Sequence, residues 1–190
     1  MISTQVPQDQ TVLDELVKQA QSDASARMAE INLSQGRVTL LGSLRNATGG
    51  SMNFHDDKIW SGEIFQRYQD VVANGGNAAF SLLANIQNGI KSAVVYSGRN
   101  VNTGGQHQCG WLVAWSNPQD RHAKKVYVDC GPIAKYTNIN WGSIETELNK
   151  SSANSSHSDP STGTVVQARI FPMEDPVHSG SDGIIIAEFK

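Results

Sequence analysis

From residue 37 onward the chain is cut into short apolar runs with a two-residue rhythm, each bounded by Gly, Asn or Ser. That pattern limits the architecture more than any other feature. Side chains on a strand alternate between faces, so a run that is apolar at every second position buries one face and wets the other. Such runs fall at 37–45, 51–55, 78–84, 92–97, 110–116, 124–129, 165–171 and 184–189. Short strands separated by turn signals predict a mainly β fold, an antiparallel β-sandwich. Ahead of them, Thr11 can cap a helix, and Leu13, Leu16, Val17, Ala20, Ala24, Met28 and Ile31 follow a helical stripe. The expected layout is one domain, with a flexible tail over 1–10, an amphipathic helix over 11–31 packed on an apolar face, and the sandwich over 36–190. A second, short helix is expected at 139–148, where Trp141, Ile144 and Leu148 share a face. The Ser-rich stretch 149–163 reads as a polar loop.

Charge and composition narrow the partners. A formal net charge of −3 offers no clustered cationic surface for a phosphate backbone, so nucleic acid is not an expected partner. No apolar stretch approaches the roughly 20 residues of a spanning helix, and no transmembrane segment is expected. The first residues lack the basic-then-apolar pattern of a signal peptide, which makes the cytoplasm the expected compartment. Cys109 and Cys130 are too few for a disulfide framework and lack a zinc or redox spacing. The run from Cys109, the turn at 117–120 and the run ending at Cys130 read as a hairpin. With the turn centred near Asp120, Cys109 falls almost opposite Gly131; geometry permits a Cys109–Cys130 bridge, whereas a reducing compartment favours free thiols.

Four places hold residue types that could carry chemistry. His55-Asp56-Asp57 joins an imidazole to two carboxylates, but a metal would need further ligands, and a solvated strand-to-turn cluster is the favoured reading. The segment 178–183 holds the residue types of a serine hydrolase without the elbow that exposes a nucleophile. The glycine pairs at 49–50, 75–76 and 104–105 fit neither phosphate loop nor dinucleotide fingerprint. Cys109 has no visible base. No catalytic residue, metal or cofactor is therefore assigned, and the chain is read as a non-enzymatic protein that works by binding. The candidate contacts are aromatic. Trp111 and Trp115, four apart on one strand, share a face with Val113; they are either core or, on the outer side, a stacking platform for a sugar ring or lipid head group. Trp60, in a loop after a polar turn, and Tyr136 are the better-placed contacts, with core packing as the competing reading.

Several segments carry a family likeness by their order: Arg45-Asn46-Ala47-Thr48-Gly49, Trp60 with Gly62, Ala93-Val94-Val95-Tyr96, Trp111 through Pro118, Lys125-Val126-Tyr127 and Ile139-Asn140-Trp141. Together they resemble the small jasmonate-induced proteins of plants, a stress-responsive group that supplies no catalytic residues to transfer. The strand pattern is also similar to the β-sandwich of actinoporin-type cytolysins and fungal fruit-body lectins. The resemblances imply a stress or defence protein that binds a glycan or related polar ligand, and a homo-oligomer is compatible with them. The alternative they imply is a membrane-active cytolysin in which Leu13, Leu16, Val17 and Ala20 form the inserting face of a detachable helix. The hairpin after Pro118 departs from that pattern, reading Gln-Asp-Arg-His-Ala-Lys-Lys without tyrosine or tryptophan.

Overall fold

The computed structural model describes residues 8–30, 37–173 and 181–190, with the side chains of the first helix described over 11–23. In chain order the elements are α1 (Gln8–Glu30), β1 (Arg37–Asn46), β2 (Met52–Ser61), β3 (Glu63–Gln66), β4 (Val71–Val72), β5 (Asn77–Asn85) and β6 (Ile90–Arg99). There follow β7 (Gln108–Asn117), β8 (Lys125–Pro132), α2 (Trp141–Lys150), β9 (Asn154–Asp159), β10 (Thr164–Pro172) and β11 (Gly183–Phe189). One sheet runs β3-β5-β1-β11-β10-β9 and the other β4-β2-β6-β7-β8. The expected sandwich is present. Its pairings are antiparallel except for β1 with β11, which run parallel through the middle of the first sheet.

Alternation places the core. Leu40 and Leu44 of β1, Phe80 and Leu82 of β5, and Ile185 and Phe189 of β11 point between the sheets, where they meet Val94 and Tyr96 of β6 and Trp111, Val113 and Trp115 of β7. Fully burying a side chain of this size is worth about 1.5–3 kcal/mol, so this layer dominates the stability of the fold. The opposite faces are covered by helices. Leu13 and Leu16 of α1 are buried against Leu41, Leu83, Met173, Ile184 and Ile186 on the outside of the first sheet, with Val17 and Ala20 half-buried beside them. Asp14 adds an ion pair to Arg169 at 2.9 Å. On the outside of the second sheet, Leu148 of α2 joins Ala93, Val95, Leu112 and Ala114. The Asn140 side chain accepts from the Ser143 amide and caps α2.

Four expectations change. The helix begins at Gln8, so Thr11 lies inside it and exposed rather than capping it; the side chains of Ala24 and Met28, and Ile31, Gly36 and residues 178–180, lie outside the described residues. The stretch read as a loop contains β9, whose Asn-Ser-Ser-His-Ser-Asp sequence hides the strand. Its side chains reach the other sheet: Ser155 Oγ accepts from the Val128 amide at 3.2 Å and His157 Nε2 lies 3.3 Å from Asp129. A polar edge strand is what a sheet margin tolerates. Third, β2 continues to Ser61, so Trp60 sits on a strand and not in a loop. Last, Cys109 lies opposite Pro132, and Cys130 opposite Trp111, so the thiols are offset along the ladder rather than face to face, and both are free and buried. Burial pushes both thiols up from their ordinary value, which leaves little thiolate.

A buried lysine pins the hairpin between β7 and β8. Lys124 is 3% exposed. Its ammonium donates to Asn117 Oδ1 and, at 3.0 Å, to the Ser181 carbonyl, which also receives Asn117 Nδ2 at 3.1 Å. The adjacent Asp182 carboxylate accepts the Thr39 amide at 2.7 Å. Burial lowers the Lys124 pKa to about 8, against the upward pull of Asp182.

Candidate binding cleft

The bulge in β2 builds a site at the open edge of the sandwich. In a regular strand, residues three apart point to opposite faces. Here Phe54 lies opposite Tyr96 and Asp57 opposite Val94, both inward positions, because an extra residue is accommodated between Phe54 and Asp56. The bulge thus turns Asp57 to the same side as Phe54, a re-aiming for which bulges are suited. The distortion is held locally: Asp56 Oδ1 accepts the Asp57 amide at 2.9 Å, and His55 Nε2 hydrogen-bonds the Tyr136 carbonyl at 3.2 Å.

Across from β2, the segment joining β3 to β4 closes the cleft. The Phe54 amide donates to the Asp70 carbonyl and the Tyr96 hydroxyl to the Gln69 carbonyl, each at 2.8 Å. Tyr68 stacks on Phe54 with centroids 6.0 Å apart and planes 15° apart, and its hydroxyl lies 3.4 Å from Ser92 Oγ. The resulting hollow of about 360 Å³ is lined by Phe54, Asp57, Ile64, Arg67, Tyr68 and Asp70. Burial drives the Tyr68 and Tyr96 hydroxyls well above the usual tyrosine range, so they stay protonated donors. Asp57 is raised as well, first by burial and then by Asp56, with Arg67 opposing. With all groups ionised, two carboxylates face one guanidinium, and the lining carries a net negative charge.

The residues singled out from sequence lie elsewhere. Trp111 and Trp115 are fully buried between the sheets and present no ring to a ligand, because their strand turns its odd-numbered positions inward. Tyr136 is buried in the turn Ile133–Tyr136, its ring resting where a Cβ on Gly110 would overlap it. Trp60 is half-buried and meets Trp141 edge to face at 6.2 Å, on the side covered by α2. Of the cleft residues, Phe54 and Arg67 carry no separate signal in the sequence, and Asp57 stood out only within the His55-Asp56-Asp57 cluster read as a solvated strand-to-turn cluster, whereas it lies half-buried inside β2. The signal for the site was the polar Asp56-Asp57 interrupting an alternating run. Among the described residues, no group of three His, Cys, Asp or Glu is placed to hold a metal ion, and no helix is long and apolar enough to cross a membrane.

Two face-to-face sheets, a helix on each outer side and a charged aromatic cleft at one edge define a helix-flanked β-sandwich. The chain belongs to the family described as Nakanori-like protein, whose model matches residues 10–173. It is 30% identical over 178 residues to a jasmonate-induced protein homolog from Atriplex canescens, a match that covers 90% of this chain and 91% of that protein. The likeness to jasmonate-induced proteins read from sequence is thereby confirmed. The crystal structure of the lipid binding protein Nakanori matches with a TM-score of 0.69 at 16% identity, covering 91% of this chain and 79% of that one; at that identity the match speaks for the fold.

Proposed function

We propose that this chain is a non-enzymatic binding protein whose edge cleft holds the zwitterionic head group of a lipid. The carrying observation is the β2 bulge, which sets Asp57 beside the stacked rings of Phe54 and Tyr68, opposite Arg67 and Asp70. Aromatic faces and carboxylates together attract a substituted ammonium, and a guanidinium suits a phosphate. One cleft lined with both supports a ligand that carries both. The lipid-binding description of the matched fold agrees with this reading, and the name of the Atriplex relative supports a place in a stress response. Buried thiols with raised pKa values favour binding without transformation.

Calorimetric titration with glycerophosphocholine tests the reading. Phe54→Ala and Asp57→Asn should each weaken binding about tenfold or more. Equal affinity in wild type and both variants would overturn it. So would a glycan array that retains the protein while glycerophosphocholine does not bind.

A further inference from the structure

Helix α1 meets the first sheet through a narrow seat. Among its described side chains only Leu13 and Leu16 are buried, with Val12, Val17 and Ala20 half-buried beside them. Register sets the outer face of the sheet beneath it in rows. Ser81, Leu41 and Ile184 lie side by side on β5, β1 and β11, and the next row is Ala79, Ser43 and Ile186. In that second row two neighbouring strands present short side chains, which cannot reach up to the helix. A hollow of about 120 Å³ results, walled by Leu16 and Ala20 of α1 and by Leu41, Ala79 and Ile184 of the sheet. The seat is mismatched in a second way. Thr39 and Ser81 are buried on the same outer face, and their hydroxyls make no hydrogen bond, a cost that a fully matched contact does not carry. The rest of the lining is polar: Gln19 and Asp23 come from α1, and Ser43 and Asn77 from the sheet. Asp23 is the one charged group among these described lining residues, and Arg45, opposite Asn77, already faces Glu188 at 3.7 Å.

We infer that this hollow is a second binding site, separate from the edge cleft, which takes a small ring-bearing ammonium and whose ligand ties α1 to the sheet. Size selects the body of the ligand. An aliphatic cavity of about 150 Å³ takes a benzene ring, so this smaller hollow holds one six-membered ring and no fused system. Charge selects its head. A carboxylate with no cation among the lining residues attracts an ammonium and opposes a second carboxylate, and the side-chain oxygens of Gln19, Ser43 and Asn77 can accept the remaining N–H groups. The walls come from both the helix and the sheet, so only the docked helix forms the site. Ligand binding therefore favours the docked state by mass action. The inference is independent of the head-group reading, because none of its residues lines the edge cleft.

The test is calorimetric titration of the full chain with benzylamine, benzyl alcohol and benzoate. Wild type should bind benzylamine with a Kd of about 1 mM, the strength expected of so small a molecule. It should bind the alcohol about threefold more weakly and benzoate not at all. Asp23→Asn, an exposed substitution whose Tm should stay at the wild-type value, should bring benzylamine down to the affinity of the alcohol. Ala79→Leu fills the hollow and should abolish binding, whereas Phe54→Ala, in the edge cleft, should not weaken it. Benzylamine at about ten times its Kd should slow amide exchange over residues 11–23 by about tenfold. Absence of binding at about 10 mM overturns the site, as does equal affinity for benzoate and benzylamine. Equal benzylamine affinity in wild type and Asp23→Asn removes the charge contact and with it the ligand class. Binding that is lost in Phe54→Ala and kept in Ala79→Leu puts the amine in the edge cleft and overturns the proposal. Binding with unchanged exchange in α1 refutes the tie between ligand and helix.

Discussion

Raising the pH from about 8 to 10.5 should stabilise the fold through one side chain, Lys124. Its pKa is about 8 in the folded protein against an ordinary value of 10.5. At roughly 1.4 kcal/mol per unit, the difference corresponds to about 3 kcal/mol. The folded lysine loses its proton first, so across this window the unfolded chain binds more protons and stability rises with pH. Below pH 8 both states are protonated, and the fold carries the full cost of the buried ammonium. Tyr68, Tyr96 and Tyr136 act in the opposite direction above about pH 10, since burial keeps their hydroxyls protonated in the folded state alone. The comparison with Lys124→Met isolates the lysine, because methionine keeps an unbranched apolar stem and removes the charge. Urea unfolding at a series of pH values should show the stability gap between the two proteins moving by about 3 kcal/mol in favour of wild type between pH 8 and 10.5. A gap that stays flat would refute both the burial of the ammonium and the sign of its linkage.

Acid should act on the cleft. Burial and then Asp56 raise the Asp57 pKa from its ordinary value, so calorimetric affinity for glycerophosphocholine should fall on acidification as Asp57 takes up its proton, and Asp57→Asn should remove the step; identical pH profiles in the two proteins would count against a role for the carboxylate. Gly42→Ala should lower stability by about 1–3 kcal/mol, equivalent to roughly 2–4 °C of Tm per kcal/mol in a chain of this size. A Cβ there overlaps the Phe80 ring, which packs on Tyr68 at 5.0 Å and Trp115 at 5.1 Å. Scanning calorimetry that finds no change would mean the ring can move aside.

The fold was readable where the two-residue rhythm was undisturbed. β1, β5, β6, β7, β10 and β11 lie within two residues of the predicted runs, and the apolar stripe of α1 marks the face that meets the first sheet. The rhythm places Trp111, Val113 and Trp115 on one face but does not say which face is inside; the structure decides that by setting α2 over Leu112 and Ala114. β9 escaped because its stabilising contacts are made by Ser155 and His157, residues that carry no strand signal. The cleft escaped for a different reason. It depends on an irregularity: without the extra residue after Phe54, Asp57 would point to the other face of the sheet, and periodicity cannot register a position whose importance comes from breaking the period.

The parallel pairing of β1 with β11 bears on how the chain is made. β1 finds its neighbour on one side in β5, within the first half of the chain, but the other side waits for residues 183–189. Until then β10 has nothing to join it to β1, and the first sheet exists as two unconnected pieces with its apolar margin open. Contacts so distant in sequence close slowly, and an unpaired central strand is a hazard for self-association in a nascent protein. β1 therefore keeps one edge open until residues 183–189 have been made.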